Sequence, residues 1–314
     1  MSAQLVTLGE TMALFVTPEV GALRHARSLD LRIAGAESNL AIGATRLGVR
    51  TAWIGRVGDD EFGVLVRQTI GGQGVDVSGV VTDPDAPTGL MFKERRSADV
   101  TRVTYRRAGS AGSRLRPEDL DPAVIAAADV VHVSGITPAL SETARAAVRA
   151  AVEHARAAGV LVSFDVNHRS RLWAADVAAA EYRWLAAHAD LLFVTEPEAR
   201  MVVDGDGPGE LAGKLAALGP REVIVKRGEL GATALIDGVE QEAPLFRVRA
   251  LDPVGAGDGF AAGYLAERLR GAEPAERLRT AAAVGAFAVT VSGDWEGLPT
   301  RADLPLLTSA DVHR

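Results

Sequence analysis

The chain has 314 residues, of which 47% are hydrophobic and 24% are charged, and its acidic residues outnumber its basic ones by 41 to 34. This composition excludes a disordered chain, and the net charge of −7 excludes a global basic field that would attract nucleic acid. The absence of cysteine excludes disulfides, thiolate nucleophiles and cysteine-ligated metal sites.

The first third of the sequence mixes strand-like and helix-like segments. Alternating apolar patterns at 12–33 and 88–107 predict strands that form a small β-sheet outside the main domain. Between them lie helix-like segments at 37–47 and 60–73, and a further strand at Thr51–Ile54. The β segments are therefore expected to be insertions in an α/β domain.

From residue 129 onward, short apolar runs alternate with alanine-rich helical stretches, a pattern typical of βαβ units and a parallel sheet. The predicted strands are 130–133, 160–166, 191–194 and 223–225, and the predicted helices are 141–158, 176–188 and 208–218. Polar or small residues follow each strand. Because ligands of open α/β sheets bind beyond the carboxyl ends of the strands, these exits predict one wall of a site. The alternative is that they are ordinary polar strand ends.

No apolar run approaches the roughly 18 residues that suggest a membrane span, so no membrane partner is expected. The first 16 residues lack a basic leader, and Glu10 interrupts their apolar stretch. A secretory signal is therefore not indicated, and the expected location is the cytoplasm. The length accommodates about two domains, or one large α/β domain with an appendage.

The strongest motif is DPVGAGDGF at 252–260, which leads into a helical pattern over 261–269. Small residues before a helix leave backbone N–H groups exposed at the positive end of the helix dipole, which suits an anion such as a phosphoryl group in transfer. Among those amides, Asp258 can accept the proton of an attacking hydroxyl. The alternative is a glycine-rich turn in which Asp258 caps the helix.

A second motif, AGAESNLA at 34–41, predicts a strand exit that opens a helix. Gly35 would permit a substrate to approach the backbone closely, and Asn39 offers a donor and an acceptor to a sugar hydroxyl. Asn39 could equally be a capping residue. The sequence lacks both G-x-x-x-x-G-K-[ST] and a G-x-G-x-x-G after the first strand, so neither a P-loop enzyme nor a nicotinamide enzyme is indicated. The six histidines have no metal-ligand spacing.

Taken together, the motifs at 34–41 and 252–258 resemble the two signature regions of the ribokinase-like (PfkB) carbohydrate kinases. Three further segments are similar to those of 2-keto-3-deoxygluconate kinases: SGITPAL at 134–140, DVNHR at 165–169 and GSAGS at 109–113. The resemblance implies a ribokinase-like α/β fold, with a Rossmann-like, mostly parallel sheet flanked by helices. It also implies that 1–314 form one kinase domain, with a β-sheet lid built from about 12–33 and 88–107.

The resemblance implies that ATP and Mg²⁺ are the cofactors and that 2-keto-3-deoxygluconate is phosphorylated to its 6-phosphate. Asp258 would be the catalytic base, and the anion hole would consist of Gly255, Ala256 and Gly257. The positions implied to contact the sugar acid are Gly35, Asn39, Met91, Tyr105, Arg107, Arg169 and Asp258. Those implied to contact the nucleotide are Lys226, Gly228, Gly231, Gly255, Gly257 and Ala282. Glu198 would hold Mg²⁺ through water, and Asp252 would lie near a monovalent cation such as K⁺.

Arg107 and Arg169 match the need of a keto acid for a carboxylate partner, although either could be an ordinary surface charge. The segment from Lys226 to Gly231 could likewise be an ordinary β-turn.

Three positions depart from the family pattern. Met91 stands where related kinases carry a tyrosine, Thr195 replaces the asparagine of an N-x-x-E motif, and Ala282 replaces an asparagine near adenine. Met91 leaves open a ribokinase- or fructokinase-like kinase of a neutral sugar, and the other two leave open a sugar-binding regulator without turnover. The exposed edges of a β lid further predict a homo-oligomer.

Overall fold

The computed structural model describes residues 2–97 and 100–307, so the ends of the predicted range 1–314 and two positions of the predicted segment 88–107 lie outside the described residues. The strands in the described part of the chain are β1 (Leu5–Leu8), β2 (Met12–Val16), β3 (Asp30–Ala34), β4 (Thr51–Ile54), β5 (Arg56–Gly58), β6 (Val81–Asp83), β7 (Leu90–Arg95), β8 (Thr101–Arg106), β9 (Val130–Ser134), β10 (Leu161–Asp165), β11 (Leu191–Thr195), β12 (Glu222–Lys226), β13 (Ala232–Ile236) and β14 (Val239–Glu242).

The α-helices in the same ranges are α1 (Ala36–Arg46), α2 (Glu61–Gly72), α3 (Pro122–Ala126), α4 (Glu142–Ala157), α5 (Ala175–His188), α6 (Glu196–Val202), α7 (Pro208–Ala216), α8 (Ala256–Leu269) and α9 (Pro274–Ala288). None of these helices combines the length and the apolarity that crossing a membrane requires.

The main sheet has eight strands in the order β14-β13-β12-β11-β10-β9-β1-β4. The six strands from β12 to β4 are parallel, which confirms the predicted parallel sheet, and β13 and β14 extend it in antiparallel fashion. Each strand predicted after residue 129 is present, and the predicted helix 208–218 ends two residues earlier, at Ala216.

The core has two apolar layers because alternate residues of each parallel strand point to opposite faces of the sheet. Val131 and Val133 pack with α4, α5 and α7 on one face, whereas Val130 packs with α1, α8 and α9 on the other. Both layers are buried almost completely. This sandwich brings α1 and α8 to the same side of the sheet, with the exits of the parallel strands beside them.

A separate sheet of four strands has the order β3-β2-β7-β8. One of its faces carries Met91, Lys93 and Tyr105, since alternate residues of paired strands share a face. Phe92 lies on the opposite face, where it stacks on Phe15. We call this element the small sheet; its role as a lid over a substrate stays a prediction.

Candidate active site

Asp258 is held by two amide side chains at the start of α8. Asn39 donates a hydrogen bond from Nδ2 to Asp258 Oδ2 at 2.9 Å, and Asn167 donates from Nδ2 to Oδ1 at 3.4 Å. Neither Asn39 nor Asp258 is the N-cap of its helix, because Gly35 is the N-cap of α1 and Gly255 is the N-cap of α8. The two capping alternatives are therefore wrong, and the carboxylate is oriented toward the junction of α1, α8 and the exit of β10.

The surroundings of Asp258 adjust its proton affinity. Burial raises the pKa of Asp258 above its ordinary value, and the hydrogen bond from Asn39 and the charges of Arg169 and Lys226 oppose that rise. A carboxylate whose pKa is raised is a better proton acceptor than a free aspartate. The geometry and the pKa shift thus suit a general base.

The first turn of α8 is open to an anion. Gly255 has φ +80°, a left-handed conformation that favours glycine, and no side chain caps the helix at this residue. A Cβ added to Gly257 would meet a single nearby atom, Nζ of Lys226, at 3.4 Å. The lysine ammonium therefore lies beside the first turn of α8, and both the ammonium and the free N–H groups of a helix start would attract a phosphate.

Lys226 forms an ion pair at the carboxyl ends of two parallel strands. Its Nζ lies 2.6 Å from Oδ2 of Asp165, and both side chains are largely buried. Burial raises the pKa of Asp165 to about 6, while the charge of Lys226 opposes that rise. The other oxygen of Asp165 is buried and has no hydrogen-bond partner among the described residues.

Glu198 lies in the first turn of α6 and forms a capping box with Thr195. Its Oε2 accepts hydrogen bonds from the backbone N–H and the hydroxyl of Thr195, each at 2.8 Å, and its Oε1 accepts from the backbone N–H of His168 at 2.7 Å. The threonine that replaces the expected asparagine therefore caps this helix.

Within residues 2–97 and 100–307, no three His, Asp or Glu side chains are spaced as metal ligands, and His313 lies outside those ranges. Mg²⁺ needs only one or two carboxylates besides phosphate and water, however. The unpaired oxygen of Asp165 fits that requirement. Both oxygens of Glu198 already accept hydrogen bonds, so a contact of Glu198 with Mg²⁺ through water stays a prediction.

The two predicted carboxylate-binding arginines have different surroundings. Arg107 is largely buried and donates from Nε to Oε2 of Glu10 at 2.7 Å, and Glu10 also accepts from Ser110. The guanidinium lies over the ring of Tyr105 at 5.5 Å. Arg169 is exposed and forms no ion pair with a carboxylate of the described residues. Arg169 is therefore the more available cation for a sugar acid.

Contacts within the protein account for the glycine at position 35 and the methionine at position 91. Gly35 has extended backbone, and a Cβ there would lie 2.6 Å from Oγ1 of Thr11 and 2.7 Å from the carbonyl oxygen of Glu10. Met91 is only 5% exposed and packs with Met12 and other apolar residues of the small sheet. The close approach at Gly35 is thus made by the chain itself.

The residues predicted at the nucleotide lie on two elements. Gly228 and Gly231 have φ +57° and +84° in the connection between β12 and β13, directly after Lys226. Ala282 lies on α9, half-buried against the apolar layer beneath α8. Three residues farther on, Gly285 approaches the carbonyl oxygen of Ala256.

Asp252 precedes the open turn and is already paired with a cation of the chain. The ammonium of Lys93 donates a hydrogen bond to its Oδ2. A monovalent cation beside the Asp252 carboxylate does not fit the residues present, because the ammonium group of Lys93 already occupies that position.

The sequence reasoning did not single out Glu10, Lys93, Asn167 or Asp294. Asn167 stands out only in the structure, where its φ of +40° lies in a region of backbone space in which non-glycine residues are often functional. One signal was available in the sequence: Lys93 is a lysine within an apolar strand pattern, and lysine is rarely buried without a partner.

Comparisons with known proteins agree on one family. The sequence profile described as pfkB family carbohydrate kinase matches residues 2–301. The 2-dehydro-3-deoxygluconokinase of Thermoproteus tenax is 39% identical over 302 residues, which cover 94% of this chain and 91% of that protein. The 2-dehydro-3-deoxygalactonokinase of Haloferax volcanii is 40% identical over 299 residues, which cover 94% and 93% of the two chains.

A solved structure supports the architecture. A candidate ribokinase II from E. coli, in complex with ATP and Mg²⁺, superposes with a TM-score of 0.90 at 25% identity and covers 98% of this chain and 99% of that one. The predicted ribokinase-like α/β fold is confirmed.

Proposed function

Since the chain belongs to the pfkB family of carbohydrate kinases, we propose that it transfers the γ-phosphoryl group of ATP to 2-dehydro-3-deoxygluconate, also called 2-keto-3-deoxygluconate, and forms the 6-phosphate. The observation that carries this proposal is the position of Asp258, which is held by two amide donors at the open start of α8. The names of the two sugar-acid kinases support a keto acid as the substrate, as does the charge of Arg169, which forms no ion pair among the described residues.

In the proposed reaction, Asp258 accepts the proton of the attacking hydroxyl. Asn39 and Asn167 donate to its two oxygens and so keep the carboxylate in one orientation. The geometry of a base relative to its proton is a main determinant of its efficiency. We therefore assign Asn39 a positioning role toward Asp258, in addition to its predicted place beside the sugar.

The start of α8 stabilises the negative charge of the group in transfer. The N–H groups of the Gly255–Gly257 turn form the proposed anion hole, and Lys226 adds a positive charge beside Gly257. Phosphoryl transfer relies mostly on such positioning and charge stabilisation. Asp165 and Glu198 would hold Mg²⁺, which neutralises phosphate charge when it is bound.

Arg169 pairs with the carboxylate of the sugar acid in this proposal. Arg107 contributes less directly, because Glu10 already neutralises its charge. Tyr105 and Met91 lie on the face of the small sheet that also carries Lys93, and we propose that this face covers the sugar. Gly228, Gly231 and Ala282 are proposed to border the nucleotide.

Two further properties stay predictions. The small sheet ends in β3 and β8, whose outer edges are not paired within the described chain, and we propose that a second copy docks there to form a homo-oligomer. A cytoplasmic location is proposed from the sequence. Size-exclusion chromatography with light scattering would test the first, and cell fractionation the second.

The experiment that tests the function measures ADP release from MgATP with four acceptors: 2-dehydro-3-deoxygluconate, its galactonate epimer, fructose and ribose. We expect turnover with the keto acids and a kcat/KM at least about 10-fold lower with the neutral sugars, because they lack the charged partner of Arg169. Faster turnover of fructose or ribose would favour the neutral-sugar kinase that the buried Met91 permits. Sugar binding without ADP release would favour the regulator.

A further inference from the structure

Lys93 is a lysine buried inside the small sheet. Its side chain is 3% exposed, and it lies on the face that also carries Met91 and Tyr105. Lysine is almost never fully buried unless its charge is paired. Here the ammonium donates a hydrogen bond to Oδ2 of Asp252 and lies 3.6 Å from Oδ1 of Asp294.

The two aspartates flank the proposed anion hole. Asp252 lies three residues before Gly255 in the same loop. Asp294 touches the loop from outside, since its carbonyl oxygen would lie 2.0 Å from a Cβ on Gly255. Both side chains are buried. Lys93 therefore connects the loop and the segment packed against it.

Two buried carboxylates need a cation between them. Burial and the negative charge of Asp252 raise the pKa of Asp294 to about 7, and the charge of Lys93 opposes that rise. Burying carboxylates without a partner is unfavourable, so the pair would separate or take up a cation from solvent if the ammonium were removed. The ammonium already occupies the place that such an ion would take.

We propose that Lys93 is a built-in cation that positions the Gly255–Asp258 turn for phosphoryl transfer and makes the enzyme independent of monovalent cations. This inference rests on the proposed kinase function for its activity readout. Lys93 acts through Asp252 and Asp294 and does not touch the reacting atoms, so it is a positioning residue.

An arginine of the small sheet provides a matched control. Arg32 lies on β3, donates from Nη1 to the carbonyl oxygen of Ser292 at 2.7 Å, and lies 3.6 Å from Glu296. It therefore also connects the small sheet to the segment that contains Asp294. Its charge is not placed between Asp252 and Asp294, so Arg32→Ala removes a tether of the small sheet but leaves the built-in cation.

The test compares the wild type, Lys93→Met and Arg32→Ala in Na⁺, K⁺, NH₄⁺ and tetramethylammonium salts at equal ionic strength. We expect wild-type kcat to vary less than about twofold among the four, because its cation is covalently attached. In tetramethylammonium, Lys93→Met should lose on the order of 10²-fold in kcat, since the turn is misplaced. K⁺ or NH₄⁺ should restore at least about a tenth of wild-type kcat, because either ion can enter the vacated site. Arg32→Ala should show no dependence on the cation.

A melting measurement separates this inference from the proposed function. The Tm of Lys93→Met should rise with K⁺ or NH₄⁺ relative to tetramethylammonium, whereas the wild-type Tm should not, because an ion that binds only the folded state stabilises it. If the wild type released no ADP with any sugar, the proposed kinase function would be refuted. The melting data would still test the role of Lys93. If Lys93→Met did not fold, Lys93→Met with Asp294→Asn, which removes one buried charge, would take its place.

Wild-type activity that rises more than about fivefold with K⁺ over tetramethylammonium would overturn the inference, since no built-in cation would then suffice. The inference would also be overturned if kcat and Tm of the folded Lys93→Met variant were the same in all four cations.

Discussion

Helices α1 and α8 lie side by side, each begins after a glycine, and each carries an acidic residue in its first turn. At α1, the chain itself fills the space beside Gly35, and Glu37 is buried against the hydroxyls of Ser134 and Thr137. At α8, the chain also fills the space beside Gly255, but the residue that corresponds to Glu37 is Gly257, and a Cβ there would lie within 4 Å of only one atom of the described residues outside the helix, Nζ of Lys226. A glycine before a helix therefore does not by itself make an anion site; what occupies the space around the first turn decides it.

The acidic residues of the two first turns should differ most in their effect on catalysis. Asp258→Asn removes the proposed base and should lower kcat by about 10²- to 10⁴-fold, with little change in Tm. Glu37→Gln is the matched control, because burial raises the pKa of Glu37 and the side chain serves mainly as a hydrogen-bond acceptor. We expect this variant to keep kcat within about threefold of wild type. The measurement is steady-state ADP release with the sugar acid; near-wild-type turnover of Asp258→Asn would refute the base assignment.

The two glycines should differ in what an added methyl group disturbs. Gly255→Ala forces a left-handed residue to carry a Cβ, at a cost of about 1–2 kcal/mol, and places that Cβ against the carbonyl oxygen of Asp294. We expect a lower Tm together with a loss of kcat, because the anion hole must move. Gly35→Ala also meets backbone, at 2.7 Å, and should lower Tm by disturbing the contact with Glu10. Thermal melting and ADP release on both variants give the comparison, and an unchanged Tm for Gly255→Ala would contradict it.

Arg169 and Arg107 test whether a free and a paired arginine contribute differently to use of the sugar acid. Arg169→Ala should weaken use of the sugar acid by about 1.5–3 kcal/mol, the scale of a charged hydrogen bond, and should leave a neutral sugar nearly unaffected at a pH well above the pKa of Asp258. Arg107→Ala leaves Glu10 buried without its cation, so its main effect should be a lower Tm. The readouts are kcat/KM for both sugar classes and thermal melting. Equal losses on acid and neutral sugars in Arg169→Ala would contradict the carboxylate role.

The hydrogen bond between α1 and α8 should give the smallest effect, seen in pH dependence. Because the amide of Asn39 lowers the pKa of Asp258, Asn39→Ala should raise that pKa further. The base works when it is deprotonated, so activity is lost as pH falls through its pKa, and the acid limb of kcat/KM should move to higher pH in the variant. A pH–rate profile measures this shift; an unchanged limb, or one moved to lower pH, would show that Asn39 does not act on Asp258.

The sequence was informative where the periodicity of hydrophobic residues determines structure. The alternation of apolar runs and alanine-rich helices predicted the parallel strands that place Lys226 and Asp165 next to each other. The segment DPVGAGDGF likewise predicted an open helix start, because small residues leave amides uncovered.

Long-range pairings were not predictable in this way. Lys93 and Asp252 are 159 residues apart, and nothing in the local pattern of β7 indicates which carboxylates its lysine meets. The same holds for Glu10 and Arg107, which are 97 residues apart. The contact of Gly35 with Thr11 and Glu10 was not predictable either, since a glycine that permits substrate contact and one that permits chain contact look alike in sequence; the predicted substrate contact at Gly35 stays a prediction.

The most direct test of the difference between the two helix starts is the kinetics of Gly257→Ala for ATP, measured together with its Tm. A Cβ at this position would meet no backbone of the described residues outside its own helix, and alanine is about 1 kcal/mol more favourable than glycine within a helix, so we expect an unchanged or higher Tm. The methyl group narrows the anion hole beside Lys226, so kcat/KM for ATP should fall by on the order of 10-fold or more. Wild-type ATP kinetics in this variant would contradict the claim that the phosphoryl group lies at the start of α8.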